Sequence, residues 1–274
     1  MKKLFSILIL LLIPNVYAQT CNIKCPSESL NIIEGETILN KITGINFVSK
    51  KIIELAIQKE INDELEKSKV NATLDIFNLK RLKNGEFKSL KIKTENFKYR
   101  ALSMSNFSAE TYCNYNNFLY KNKKIYFPTD IPFKFEGEIT NTDIQNVINS
   151  YEFQKELKRN NIIQNPKVII QDNYLHFTIP IKSFISFNIK FKANVEVANN
   201  KIVLRNITFN SNSNIINNDI FAPLLNNINP ITYEFDSVNG KFFNIDITKA
   251  TILEDKIKIN GILNINKNYG ERNE

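Results

Sequence analysis

The sequence predicts an α+β protein in which a long helix near the N-terminus is wrapped by a strongly coiled antiparallel β-sheet, with one further helix and a short third one. Three observations carry that expectation. Apolar residues between positions 45 and about 70 fall into two helical rows with no glycine or proline among them. The stretch "FISFNIKFKANVEV", residues 184–197, alternates apolar and polar residues without a break. The alternation extends back to Ile181, giving about 17 residues or roughly 56 Å of ribbon, far beyond the usual five or six residues. Strands of that length must coil, right-handed twist supplies the coiling, and a helix inside is the simplest way to bury the apolar face. A flat sandwich is the alternative.

Met1-Lys2-Lys3, the apolar run from Leu4 to Ile13 and the small residue Ala18 form the pattern of a signal peptide, residues 1–18, cleaved before Gln19. The run is too short to span a bilayer; an uncleaved anchor is the competing reading. Cys21 invites a lipoprotein reading, against which stands Thr20 where a small Gly, Ala or Ser is usual. Residues 19–44 read as an irregular segment, 45–264 as a single domain and 265–274 as a polar tail. The expected location is the periplasm or cell envelope.

Within the domain, Val48, Ile52, Leu55 and Ala56 form one apolar row of the first helix, and Ile53, Ile57, Ile61 and Leu65 an adjacent one. Val70, Ala72, Leu74 and Ile76 then alternate as a strand, and Asn84-Gly85 signals a hairpin. Short strands follow through 95–112 and 115–128, and Phe133, Phe135 and Ile139 alternate in another. Thr140 to Asp143 start a helix whose apolar face is Ile144, Val147, Ile148 and Tyr151 and which runs to about 159. A meander covers 167–172, 174–198 (with Pro180 a candidate break) and 201–209, turning at Asn199-Asn200. A short helix is expected at 219–228, then strands near 231–236, 242–253 and 256–264.

The chain carries a formal charge of +8 and has 36 Lys and Arg against 28 Asp and Glu. For an exported protein this favours an anionic membrane surface or cell-wall polymer over nucleic acid, for which no aromatic-plus-basic motif exists. A solubilising surface is the plainer explanation. The three cysteines, Cys21, Cys25 and Cys113, would meet an oxidising environment. They allow one bridge in three pairings, with Cys113 to Cys21 or Cys25 preferred and Cys25–Cys113 carried forward.

Catalysis has little support. The one histidine, His176, alternates with Leu175 and Phe177 and belongs on a polar strand face. No nucleophile elbow, P-loop, dinucleotide fingerprint or metal-ligand motif is present, and no cofactor is implied. Paired carboxylates cannot be singled out by spacing. Binding has more: 20 phenylalanines and no tryptophan, with apolar positions repeating on long strands, which either close as a dry core or leave a groove for a greasy ligand. A transmembrane barrel would show the same alternation, but the charged helices between strands and the polar ending "NYGERNE" oppose it.

The order of "FVSKKIIELAIQKEINDELEK", "PFKFEGEITNTDIQNVINSYEFQKEL", "ANVEVANNKIVLRNITF", "DIFAPLLNNI" and "FFNIDITKATILEDKIKINGIL" resembles the LmeA-like phospholipid-binding family of exported bacterial proteins, related to tubular lipid-binding (TULIP) domains. The resemblance covers roughly residues 45–264 and rests on patterns, with no catalytic motif to carry over. It implies a helix wrapped by a coiled sheet, an apolar channel, and binding of phospholipid or a similar amphiphile in the envelope. The expected ligand-lining residues are Phe133, Phe135, Ile185, Phe187, Ile189, Phe191 and Val195, with Lys or Arg at the mouth to attract phosphate. The expected function is therefore non-catalytic lipid binding for envelope transport or maintenance. The alternatives are an envelope assembly factor that binds an unidentified protein partner, or an enzyme acting on lipid-linked sugars.

Overall fold

The structure, a computed structural model, describes residues 23, 25–26, 45–65, 68–121, 124–159, 165–181, 186–209, 229–236 and 243–267. The expected signal peptide, most of the segment 19–44, the helix expected at 219–228 and residues 268–274 of the tail lie outside them.

Helix α1 spans Ile45–Glu64 and leads into strand β1, Lys69–Asp75. Then come α2 (Leu79–Lys83), β2 (Glu86–Phe87), β3 (Ser89–Tyr99), β4 (Leu102–Thr111), β5 (Asn116–Asn117), β6 (Leu119–Lys121), β7 (Lys124–Tyr126) and β8 (Ile131–Thr140). Helices α3 (Asn141–Ile148) and α4 (Tyr151–Arg159) precede β9 (Lys167–Gln171), β10 (Tyr174–Ile181), β11 (Phe187–Ala198) and β12 (Lys201–Phe209). Helix α5 (Pro230–Asp236), β13 (Phe243–Leu253) and β14 (Lys256–Ile265) follow. One sheet has six strands in the order β1-β3-β4-β8-β14-β13, another has four in the order β12-β11-β10-β9, and β2-β5 and β6-β7 form two-stranded pairs.

This corrects the expected fold class. The described residues are mostly antiparallel β-sheet with five helices, and no long helix lies within a strongly coiled sheet. Two physical facts overturn the expectation. Only one apolar row of α1 is covered: Ile57 is buried and Ile53 and Ile61 pack on the core, whereas Ile52 and Leu55 of the other row are 62% and 53% exposed. A sheathed helix would bury both. Instead, α1 lies along the sheet edge, where Glu54 Oε1 accepts the Leu74 N–H at 2.9 Å and Gln58 Nε2 donates to the Ala72 carbonyl at 3.4 Å. An edge strand is thereby covered rather than left to pair with another chain.

The second fact concerns the 17-residue ribbon. It is broken between Ile181 and Phe187, and those two residues face each other as the last pair of an antiparallel ladder between β10 and β11. Strands of eight and twelve residues paired as a hairpin do not require the coiling that one continuous ribbon would.

Smaller corrections have local causes. Asn84-Gly85 closes α2 instead of a hairpin: Asn84 N–H and Gly85 N–H bond back to Arg81 and Leu82 carbonyls, and Gly85 has φ of 80°, the left-handed cap that glycine favours. A side chain there would strike the Phe118 carbonyl. The helix at 140–159 is two helices, because Ser150 Oγ accepts the Phe153 N–H at 3.3 Å and starts α4. "ITYEF", expected as a strand, is α5, begun by Pro230 and capped by Asn229 Oδ1 on the Ile231 N–H at 3.1 Å. The Asn199-Asn200 turn forms as expected, both residues having left-handed φ of 51° and 60°.

The two larger sheets are tied together by α3, which packs on β4 and β8 of one and β9 of the other. Asn141 brackets Ile170 on β9, its Oδ1 accepting the N–H at 2.6 Å and its Nδ2 donating to the carbonyl at 3.3 Å. A second tie joins the turn at Asn200 to β13: Ile247 N–H donates to the Asn200 carbonyl, and Asn200 Nδ2 to Asp246 Oδ1, both at 3.1 Å. A disulfide between Cys25 and Cys113 anchors the N-terminal segment just beyond β4.

Candidate functional site

The six-stranded sheet and α1 enclose an apolar cavity of about 130 Å³. Its roof is the buried row of α1, Ile57 and Ile61, continued by Leu65 where the helix ends. Its floor comes from alternate residues of neighbouring strands. Leu90, Ile92 and Thr94 line it from β3, and then Phe97 and Tyr99, because the parity changes at Asn96, whose φ is 54°. Opposite them, Leu102 and Met104 give way to Phe107 on β4, and the ladder pairing omits Asn96 and Ser105. Phe133 and Phe135 come from β8, and Phe243, Ile245, Leu263 and Ile265 from β13 and β14.

Aromatic contacts set the shape. Phe97 stacks on Phe107 at 4.6 Å and Phe107 on Phe135 at 5.8 Å, a row of rings across three strands. Tyr99 and Phe243 meet edge to face at 5.4 Å. Phe107, Phe133 and Phe135 are buried, while Ile61, Ile92, Phe97, Tyr99, Phe243, Leu263 and Ile265 are half-buried. The polar residues in the lining are Glu60, Thr94 and Tyr99, and no lysine or arginine lines it among the described residues.

Of the expected ligand-lining residues, the structure brings Phe133 and Phe135 together in this cavity. Ile185 lies outside the described residues. Phe187, Ile189, Phe191 and Val195 sit on β11 in the other sheet and do not line it. Phe191 fills that sheet's own core, stacked on Phe177 at 4.5 Å and tilted against Phe209 at 5.6 Å, while Phe187 is 51% exposed. Glu60 is the one charged residue in the lining among the described residues. Sequence reasoning missed Ile92, Phe97, Phe107 and Glu60. The apolar row of α1 was legible, but which strands it would face depends on sheet order.

A second cluster is polar. Asp143 accepts Ser103 Oγ at 2.9 Å, Ser105 Oγ at 2.6 Å, and the Thr140 N–H and Oγ1 at 2.8 and 2.7 Å. These bonds cap α3 and tie its first turn to β4. His176 sits across from Ile169 and Lys192, half-buried, alternating with buried Leu175 and Phe177 as the pattern predicts. No group of three or more His, Cys, Asp and Glu could hold a metal ion among the described residues. No described helix is long and apolar enough to cross a membrane.

Compared with protein-family models, curated proteins and solved structures, the chain matches none. The Cys25–Cys113 bridge accords with an oxidising, exported location.

Proposed function

We propose that this protein binds the hydrocarbon portion of an amphiphile in the cavity beneath α1 and works in the cell envelope, holding or moving lipid there. The observation that carries the reading is the cavity itself, an apolar space of about 130 Å³ bounded in part by half-buried side chains. An engineered core cavity of about 150 Å³ stays dry and accepts benzene, so this one takes a group of roughly six carbons. At ~0.8 kcal/mol per methylene, seating such a group contributes about 5 kcal/mol relative to water. A full acyl chain of about 14 methylenes exceeds the space. The ligand therefore lodges one end while the remainder lies along the half-buried residues, or α1 shifts to admit more. The resemblance to LmeA-like phospholipid-binding proteins and the leader-like N-terminus support the same reading.

Native mass spectrometry and organic extraction of the protein, purified without detergent from an exporting host, test it. A co-purifying amphiphile, or saturable uptake of a neutral probe such as octan-1-ol, is the expected result. A protein that arrives empty and takes up neither octan-1-ol nor phospholipid from vesicles would overturn it.

A further inference from the structure

Helix α1 is apolar on two faces, and the fold uses one of them. Ile57 and Ile61 roof the cavity, while Ile52 and Leu55 stand in solvent at 62% and 53% exposure. A helix apolar on both sides belongs between two apolar media, and the sheet supplies only one. Ile52, Leu55 and Lys59 lie at i, i+3 and i+7 and so share a face, and Lys51 is one turn before Leu55. Lys51 and Lys59 are both exposed. From Lys50 to Lys59 the only carboxylate is Glu54, which is buried, accepts the Leu74 N–H and is offset by Lys50 and Lys51. The acidic end of the helix begins beyond Lys59, with half-buried Glu60 and exposed Asp63. The two exposed aliphatic side chains therefore lie within a cationic stretch of surface.

We infer that this outer face of α1 docks on an anionic lipid bilayer, Ile52 and Leu55 entering the interface and Lys51 and Lys59 meeting the phosphates. This deepens the proposed lipid binding and takes its purpose from that reading: the helix that roofs the cavity is also the one that rests on the source of its ligand. Lysine stems lie along apolar surface while their ammonium groups stay at headgroup level, so the two residue types act together. A soluble anionic polymer would use the lysines and leave the aliphatic pair in water. A second copy of the same face would cover the pair but bring lysine against lysine. An anionic bilayer satisfies both, and with so few side chains the attachment is reversible.

The chain has no tryptophan, so Ile52→Trp reports on this face alone. The variant, purified from an exporting host, is titrated with phosphatidylcholine vesicles with and without phosphatidylglycerol. Phosphatidylglycerol vesicles should shift the emission to the blue, brominated acyl chains should quench it, and high salt should reverse both. Wild type should float with the same vesicles, and the paired Ile52→Gln, Leu55→Gln variant should bind them about tenfold more weakly. That variant should keep its thermal midpoint and its octan-1-ol uptake, because both side chains are exposed and glutamine suits a helix. If the tryptophan emission ignores phosphatidylglycerol vesicles, or the glutamine variant floats as well as wild type, the inference falls, and octan-1-ol uptake decides the cavity reading separately. If wild type floats, the glutamine variant does not and octan-1-ol is refused, the docking face stands and the cavity reading falls. A glutamine variant that turns a dimer into a monomer, with no vesicle binding by wild type, assigns the face to a second copy and overturns the inference.

Discussion

Arg81 carries a full charge at 1% exposure, and the residues around it explain how it can. Its Nε donates to Glu86 Oε2 at 2.8 Å, and its guanidinium lies 3.7 Å from the centroid of the Phe77 ring. Removing one member of such a buried pair strands the other, which typically costs 3–5 kcal/mol. Arg81→Ala should thus lower unfolding free energy by about 3 kcal/mol in urea titrations, and Arg81→Lys should not restore it, since an ammonium lacks the planar face and fork. A loss under about 1 kcal/mol would show the pair to be incidental. On the outer sheet face, Glu138 has its pKa held below the ordinary 4.5, first by the hydrogen bond from Asn106 Nδ2 at 2.9 Å and next by Lys256 at 3.0 Å. A carboxyl depressed in the folded state stabilises fully above its unfolded pKa, and that contribution disappears as pH falls through the folded value. The melting-point gap between wild type and Glu138→Gln should hold steady at neutral pH and narrow below about pH 4.5. A gap that stays constant down to about pH 3 would contradict this.

Elements are held by a few polar residues where apolar packing alone would leave them free to slide. Asp143 fixes α3 to β4 through Ser103 and Ser105 while capping the helix through Thr140. Asp143→Ala removes a cap and leaves the buried Ser103 hydroxyl and the half-buried Ser105 hydroxyl without their acceptor, a loss of about 3 kcal/mol. Hydrogen exchange should show it first at the amides of Asn141–Ile148. Protection unchanged there would mean that packing of Ile144, Val147 and Ile148 suffices alone. The disulfide acts on a longer segment of chain. Cys25 and Cys113 are separated by 88 residues, and closing a loop of that size corresponds to about 4.6 kcal/mol of unfolded-state entropy. The paired Cys25→Ser, Cys113→Ser variant should melt roughly 10 °C lower. Coincident melts of wild type with and without reductant would argue against the bridge.

For the molecule as a whole, the cavity is the feature whose filling and emptying can be separated from stability. Ile92 is half-buried at its side. Ile92→Trp should occupy the space from the solvent side, cost less than about 2 kcal/mol because the ring can lean outward, and abolish uptake of octan-1-ol. Phe133→Ala deepens the same space from within; it should cost 3–5 kcal/mol and admit a larger hydrocarbon. Both are read by thermal melts beside calorimetric binding. If Ile92→Trp binds as well as wild type, the ligand site is elsewhere.

Strands of the six-stranded sheet were visible in the sequence one at a time: Val70 to Leu74, Phe133 to Ile139 and the pair 242–253 and 256–264 alternate, and each forms. So were the helix at Thr140 and the turn at Asn199-Asn200, while the cysteines left Cys21 and Cys25 both open as partners of Cys113, and the fold takes Cys25. Alternation reports that a strand has a covered face, because each side chain points opposite to its neighbour whatever the strand packs against. It does not report which partner covers that face. The ribbon from Ile181 to Val197 shows the consequence: its pattern is the same whether it runs straight or folds back on itself at Ile181 and Phe187, and the whole expectation of a coiled sheet hung on the first case. In the same way both apolar rows of α1 look equally buried in the sequence, yet the ladder of hydrogen bonds from Glu54 and Gln58 turns one to the sheet and the other to solvent. The sequence by itself determined most of the elements, their two-faced character and Cys113 as the preferred partner of an N-terminal cysteine, since those follow from side-chain period and local chemistry. Sheet order, the place of α1 at an edge and the convergence of Ile57 and Ile61 with Phe133 and Phe135 on one cavity were decided by tertiary structure, because only long-range pairing brings residues so far apart in the chain onto one surface.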